Sequence, residues 1–571
     1  MRTKYCGDIK STDNNKTITI CGWVNQTRRL KDIIFTNIRD ISGNIQVVFH
    51  KKNKSCFLSA LTLRNDFCVQ IQGLVTIKQF NQKINKKTIN HSFEIIARQL
   101  VIFNKTAPIP LDYSKKNKED IRFKFRYLDL RRFEMTEKIK KRNEITTLIR
   151  KFFIKKKFLE VETPILTKST PEGASDYLVN SRLYPGKHYA LPQSPQLFKQ
   201  LLMISGIEKY YQIAKCFRDE DLRSDRQPEF TQIDIEASFV ETYALRELIN
   251  KLIKKLWFSI KNITLKNIDT ISYRDSLLKY GTDKPDLRNP IQFIEFSDIF
   301  NKETKNLFFW LEDNKKNRII GIKIPNGVSL VSNERIKVYK NFLKKRYSHQ
   351  FLCIQAIDIK KHVVDIYNAE KITINKKILK AIFSRASVCN GDILFVVAEE
   401  LHLANKILSD LRLKIGLDLN ITDQKTVYPI WVIDFPLFKI DKDHQLKSMH
   451  HPFTAPKKKI KSLMLENPLK IISSAFDLVI NGHEIGGGSQ RIHDYKLQNQ
   501  IFDLLQINKK TKRKQFDFFV NALKYGAPPH AGLALGLDRL AMLLTDSSTI
   551  TDVIAFPKTS SAICLMTGAP C

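Results

Sequence analysis

Three segments of this 571-residue chain hold residue types that could act together on a phosphate-bearing substrate. The first runs from Ala214 to Glu236. It sets Arg218, Arg223 and Arg226 among seven carboxylates, between two apolar, alternating runs. That pattern predicts two strands joined by a polar loop. An arginine on such a strand suits a phosphate, because its planar fork matches two oxygens at once. A solvated charged hairpin is the plain alternative.

The second segment runs from Asp477 to Arg491. Asn481-Gly482 between apolar runs predicts a two-residue type I′ turn. In that register Ile480 faces His483, Val479 faces Glu484 and Asp477 faces Gly486. Asp477 and Glu484 then share one face as diagonal neighbours. Two carboxylates so placed can hold a hard cation such as Mg²⁺. Gly486, Gly487 and Gly488 remove side chains where the bulk of a ligand would clash. In the third segment, Gly532–Leu544, a small-residue strand passes into an apolar helix. Arg539 stands in its first turn, where backbone N–H groups and the helix dipole favour an anion. Joined, the three segments describe a nucleotide site.

The elements that must position them follow from periodicity. Thr17–Asn25, Ile33–Ile38, Asn44–Phe49, Cys68–Ile77 and Phe93–Phe103 alternate or are apolar, and polar or glycine-containing breaks separate them. Five short strands suit a small closed barrel of the oligonucleotide-binding (OB) type. Arg28, Phe35 and Gln46 supply the cation, aromatic ring and amide that a single-stranded base needs, although ordinary core packing also accounts for Phe35. Ala107–Lys118 reads as a linker, and Thr136–Lys157 as a helix. Phe158–Leu166 reads as a helix exit, a strand and an edge marked by Pro164. Between about Arg288 and Thr422 the chemistry thins and strand and helix patterns continue, which suggests an inserted domain. It holds strands at Arg318–Ile324 and Phe351–Ile359 and a helix near Ala398–Leu413. Leu565-Met566-Thr567 reads as a last strand.

Composition sets the frame. A net charge of +37 and a pI of about 9.7 favour a polyanionic partner such as nucleic acid. Lysine, isoleucine and asparagine are abundant everywhere, so drift in composition accounts for part of that charge. The nine cysteines include no Cys-x-x-Cys pair and read as reduced thiols. With no secretory start and no run of about 20 apolar residues, a cytoplasmic protein is expected.

The three segments resemble motifs 1, 2 and 3 of class II aminoacyl-tRNA synthetases, in the detail of the bacterial-type aspartyl-tRNA synthetases of subclass IIb. The resemblance is carried by Thr170-Pro171-Glu172-Gly173-Ala174, Gln193-Ser194-Pro195-Gln196-Leu197-Phe198-Lys199-Gln200, Arg226-Gln227-Pro228-Glu229-Phe230, Met449-His450-His451-Pro452-Phe453 and Gly486-Gly487-Gly488-Ser489. It runs over nearly the whole chain and is weakest in the insertion. It implies a multidomain α/β and all-β protein. An OB barrel for the anticodon would occupy 1–106 and a hinge 107–135. A catalytic domain on an antiparallel sheet would occupy 136–287 and 423–571, interrupted by an inserted α+β (GAD-like) domain at 288–422.

The implied reaction is ATP-dependent activation of L-aspartate, with Mg²⁺, followed by transfer to tRNA(Asp) by a homodimer. In that family Arg218 would hold the α-phosphate, and Phe230 and Arg539 would sandwich adenine. Asp219, Glu220, Gln227, Glu484, Gly536, Leu537 and Asp538 would border ATP, and Asp477 with Glu484 would hold Mg²⁺. Glu172 and Asp234 would lie near the substrate ammonium, with Ser194 and Gln196 nearby. Lys199 and Arg491 would pair with its side-chain carboxylate, and His450 would close over it. Pro164 would sit at the dimer contact, and Arg28, Phe35 and Gln46 would read the anticodon.

The chemistry of the residues agrees with those roles. The substrate carboxylate attacks phosphorus, so no protein nucleophile is required, and the protein positions groups and stabilises charge. Asparagine would leave Lys199 and Arg491 unpaired, a loss of roughly 3–5 kcal/mol. No editing site is expected. The alternatives are a relaxed enzyme that also charges tRNA(Asn), a paralogue that only binds RNA, and an asparagine synthetase on the same fold. Leu30 favours the strict enzyme, because relaxed members often carry histidine near that position. Arg218, Glu484, Arg491 and Arg539 are all present, which argues against a non-charging paralogue. The barrel argues against a small-molecule synthetase.

Overall fold

Alternation with period two closes the first hundred residues into a five-stranded barrel. Its strands are β1 (Thr17–Arg29), β2 (Ile33–Arg39), β3 (Asn44–His50), β4 (Cys68–Ile77) and β5 (Phe93–Asn104), in the order β1-β2-β3-β5-β4. Ile20, Val24, Ile34, Ile38, Val47, Val69 and Ile71 fill the interior. β1 runs to Arg29, further than its apolar pattern predicts, and this brings Arg28 opposite Phe35. The computed structural model describes residues 1–78, 93–113, 115, 117–169, 175–222, 225–299, 317–347, 351–358, 363–367, 376–441, 443–458, 467–507 and 515–570. The chain forms two compact units, Met1–Glu137 with Cys564–Cys571, and Lys138–Ile563. In the first unit Leu565-Met566-Thr567 forms a turn and not the expected strand.

The second unit is built on an eight-stranded sheet. In chain order its strands and their neighbours are β6 (Leu159–Glu160), the hairpin β7 (Leu178–Asn180) and β8 (His188–Ala190), β9 (Lys209–Phe217), β10 (Glu229–Ser238) and β11 (Asp269–Ser272). A separate sheet contains β12 (Ile294–Glu295), β13 (Asn317–Ile324), β14 (Leu352–Asp358), β15 (Val363–Tyr367) and β16 (Ile393–Glu400). Then come β17 (Pro429–Ile433), the hairpin β18 (Phe438–Ile440) and β19 (Leu446–Ser448), β20 (Ala475–Ile480), β21 (His483–Gln490) and β22 (His530–Gly536).

The large sheet has the order β11-β17-β20-β21-β22-β10-β9-β6. It is mixed: the central pairings are antiparallel, while β11–β17 and β6–β9 at its two ends are parallel. Helices Phe133–Lys155, Thr242–Lys261 and Leu537–Leu544 bury Ile149, Phe153, Leu252, Trp257 and Leu540 against one face with Ile233, Leu478 and Leu533. The opposite face is left for the site.

The first of these helices begins three residues before Thr136, whose hydroxyl donates to the Leu130 carbonyl instead of capping it. Lys157, at φ 61°, closes the turn after its end. In the second sheet the expected helix at Ala398–Leu413 is corrected. Ala398, Glu399 and Glu400 finish β16, because the buried run from Ile393 continues through Ala398, and the helix is Leu401–Asp418. Among the described residues no helix is long and apolar enough to cross a membrane.

Candidate active site

The site grows from one face of β10, β21 and β22. Along β10, Ile233, Ile235 and Ala237 enter the core, so Gln232, Asp234 and Glu236 point the other way. Beside them β22 presents Gly532, Ala534 and Gly536. A Cβ on Gly532 would stand 1.8 Å from Glu236 Oε2, and one on Gly487 would stand 2.4 Å from Asp477 Oδ1. These two glycines make room for the protein's own carboxylates, a closer requirement than the ligand clearance expected of the glycine run. The resulting cleft holds about 440 Å³.

At one end four charges are buried together. Lys199, on the helix Gln196–Ile204, donates to Asp234 Oδ1 at 3.0 Å and lies 3.4 Å from Glu236 Oε2. Arg491 donates to Glu236 from Nε at 2.8 Å and from Nη2 at 3.2 Å. Its Nη1 donates to Ser489 Oγ at 2.7 Å and to His451 Nε2 at 2.6 Å. Burial alone would push the Glu236 carboxyl up, but Arg491 and Lys199 hold it below the ordinary glutamate value. Burial pushes Asp234 up despite Lys199, and its Oδ2 is buried with no hydrogen-bond partner, open to an incoming cation. Arg491 can only donate, so His451 Nε2 carries no proton. Burial and the Arg491 charge push that ring well below its usual value, which keeps it neutral.

At the other end Arg218, at the exit of β9, lies over the Phe230 ring, 5.0 Å from its centroid. The Arg218 amide donates to the Pro228 carbonyl at 2.9 Å, which prolongs the β9–β10 ladder into the loop. Arg539 donates from Nη1 to the Glu484 carbonyl at 2.7 Å and pairs through Nη2 with Asp225 at 3.1 Å. Glu220 pairs with Arg226 at 3.0 Å. The Gln227 amide is taken up by the Lys558 backbone, accepting at 2.8 Å and donating at 3.0 Å.

Asp477 and Glu484 both face the cleft, but the register is not the expected one. Val479 pairs Glu484 and Ile480 pairs His483, whereas Asp477 pairs Gly487 and not Gly486. A β-bulge between Leu478 and Val479 leaves one residue of β21, Ile485, without a partner on β20, and Ile485 enters the core. The turn itself is as expected, with φ 53° at Asn481 and 80° at Gly482. Burial and then Asp477 push the Glu484 carboxyl above its ordinary value. His450 Nε2 lies 3.4 Å from Asp477 Oδ1, and this carboxylate outweighs burial to raise the ring's value. Two crowded carboxylates of this kind suit a cation that takes its remaining ligands from phosphates and water.

The expected residues divide clearly. Ser194, Gln196, Lys199, Arg218, Glu220, Gln227, Phe230, Asp234, His450, Asp477, Glu484, Arg491, Gly536, Asp538 and Arg539 line the cleft. Glu172 lies outside the described residues. Asp219 is not in the lining: its backbone bridges to Ser175, and its carboxylate faces Tyr177. The Leu537 side chain is in the core. In the barrel, Phe35 pairs across to Arg28, and Asn37 pairs with Gln46, whose amide donates to Glu94 at 3.1 Å.

Glu236, Ser489 and His451 were not singled out from sequence. Glu236 stands two residues after Asp234 on a strand, so period two already placed it on the same face. Nothing in the His450-His451 pair says which ring meets Arg491; the structure gives that contact to His451 and sets His450 against Asp477.

Comparisons place this geometry among known proteins. A family model described as tRNA synthetases class II (D, K and N) matches residues 118–560, and one for the OB-fold nucleic acid binding domain matches 18–103. The chain is 51% identical over 570 residues to an aspartate–tRNA ligase of Buchnera aphidicola subsp. Acyrthosiphon pisum (strain Tuc7), covering 100% of this chain and 97% of the relative. Against the aspartate–tRNA ligase of Buchnera aphidicola subsp. Baizongia pistaciae (strain Bp) it is 48% identical over 576 residues, 100% of this chain and 99% of that one. A solved asparaginyl-tRNA synthetase from Pyrococcus horikoshii, complexed with asparaginyl-adenylate, shares the fold with a TM-score of 0.60 at 18% identity, covering 98% of each chain.

Proposed function

This chain belongs to the class II tRNA synthetases of the D, K and N group, and from that premise we propose how it works as an aspartate–tRNA ligase. The observation that carries the reading is the buried quartet of Lys199, Asp234, Glu236 and Arg491 at one end of the cleft. The unpartnered Asp234 Oδ2 receives the aspartate ammonium. Lys199 and Arg491, already aimed by Glu236, receive the side-chain carboxylate. Asparagine has the same shape but brings no charge to them.

ATP occupies the other end. Phe230 and Arg539 hold the adenine between them, and Arg218 leaves its stacked position on Phe230 to meet the α-phosphate. Asp477 and Glu484 would hold the Mg²⁺ that accompanies ATP, which when bound neutralises phosphate charge. The α-carboxylate of aspartate then attacks the α-phosphorus in line. The bond to the β-phosphate oxygen breaks, pyrophosphate leaves, and Arg218 stabilises the charge that builds on the α-phosphate oxygens. A terminal hydroxyl of tRNA(Asp) next attacks the aspartyl carbonyl, and AMP departs.

Anticodon bases meet Arg28, Phe35 and Gln46 on the barrel. A homodimer is supported by the edge strand β6 and the exposed Leu159, Ile165 and Leu166 beside Pro164. The site of action is the cytoplasm. Pyrophosphate exchange against all amino acids tests the reading: exchange restricted to aspartate supports it, and exchange driven better by asparagine or lysine overturns it. Charging assays on both tRNAs separate the strict enzyme from the relaxed one.

A further inference from the structure

Arg142 stands outside the cleft, yet it ties together three elements that build one half of it. It lies on the helix Phe133–Lys155, one turn before the core residue Ile145. Its Nη1 is 2.5 Å from Asp538 Oδ1 and donates to the Val553 carbonyl at 3.1 Å. The other oxygen of the same carboxylate, Asp538 Oδ2, accepts the Thr231 amide at 2.9 Å. One guanidinium therefore joins the first turn of the helix that carries Arg539, the strand residue after Phe230, and the segment that begins at Ile550. Phe230, Arg539 and Ile550 all line the cleft. Lys138, one turn earlier on the same helix, pairs with Asp552 at 3.0 Å and supports the same segment.

Asp538 is thus ion-paired with Arg142 through Oδ1, which receives no hydrogen bond, and hydrogen-bonded to the Thr231 amide through Oδ2. None of these contacts reaches Lys199, Asp234, Glu236 or Arg491. An ordinary brace would serve both ends of the cleft alike, and this one serves a single end. We propose that Arg142 is a positioning residue for the nucleotide half. Acting through Asp538, it holds Phe230 and Arg539 at the separation that a flat base between them requires. The inference rests on the reading of the cleft as an ATP and aspartate site.

The test uses the full chain and measures the two substrates separately. ATP dissociation constants come from calorimetry without aspartate, and KM values for both substrates come from pyrophosphate exchange. Arg142→Gln keeps length and removes charge. It is expected to weaken ATP binding by about ten- to a hundred-fold, the scale of a small misplacement in a site, while KM for aspartate stays within about two-fold of the unaltered chain. Arg142→Lys, which can still reach Asp538 Oδ1, should recover most of the loss. Asp538→Asn keeps an acceptor for the Thr231 amide but breaks the ion pair, and should reproduce the ATP-selective loss; it decides the matter alone if Arg142→Gln does not fold. Unchanged ATP binding, or ATP and aspartate constants that rise in parallel, overturns the proposal. Absence of aspartate-driven exchange in the unaltered chain overturns the aspartate reading instead, and the calorimetric ATP result stands apart from it.

Discussion

Arg491 and Glu236 are joined by two parallel hydrogen bonds, Nε to Oε1 at 2.8 Å and Nη2 to Oε2 at 3.2 Å, with both side chains buried. The pair lies between β10 and the end of β21, so it fixes the sheet and this end of the cleft together. Removing one partner strands the other charge, which costs about 3–5 kcal/mol. Glu236→Gln and Arg491→Met should each lower the thermal midpoint substantially. The double variant should lose clearly less than the sum of the two, because the Arg491–Glu236 contact that both single changes break can be lost only once. Additive losses in scanning calorimetry would show that the two side chains do not act as a unit.

Arg491 is also the residue proposed to meet the aspartate side chain. Arg491→Leu should reduce aspartate-dependent pyrophosphate exchange by about 10²–10⁴-fold, the equivalent of one unpaired buried charge. ATP binding should change little, because the Arg218, Phe230 and Arg539 end shares no hydrogen bond with Arg491 among the described residues. Exchange at the original rate would remove Arg491 from the aspartate pocket.

His451 gives the pocket a pH dependence whose sign follows from its surroundings. The folded ring titrates well below the ordinary 6.5, through burial and then the Arg491 charge. A depressed folded value means that the neutral ring contributes stability in full above the unfolded value. That contribution is lost as pH falls below it, by at most about 1.4 kcal/mol per pH unit. His451→Gln keeps an acceptor for Arg491 Nη1 and cannot gain a proton. Between pH 7.5 and 5.5 its thermal midpoint should therefore fall less than that of the unaltered chain. Equal slopes in the two proteins would exclude His451 as the titrating group.

Much of the architecture was legible because it rests on periodicity and turn chemistry. Alternation located the five barrel strands, and Asn481-Gly482 announced a turn that has positive φ at both residues. The bulge between Leu478 and Val479 was not legible, since the residue it leaves unpaired, Ile485, is apolar and suits a strand in either register. The helix at Leu401 was placed too early for a related reason: buried strand and buried helix read alike where apolar residues are continuous. At the site, most of the charged residues that line the cleft stood out by type. Glu236 and Asp538 were harder to judge, because their work is done against Arg491, Lys199, Arg142 and the Thr231 amide, partners distant in sequence.

Phe35 tests whether base reading and catalysis are separable in this chain. The ring sits half-buried on β2 between the fully buried Ile34 and Thr36, so it belongs to the outer face of the barrel and adds little to its core. Arg28 lies directly across on β1, and Gln46 lies two pairs along on β3, opposite Asn37. Replacing the ring with a methyl group removes a stacking surface worth about 1–3 kcal/mol per base. Phe35→Ala should thus raise KM for tRNA by roughly 5- to 150-fold. Pyrophosphate exchange without tRNA should be unchanged, because the cleft is lined by residues of the Lys138–Ile563 unit. Measuring both activities on one preparation decides it: a parallel fall in exchange and charging means that Phe35 supports the fold and does not read a base.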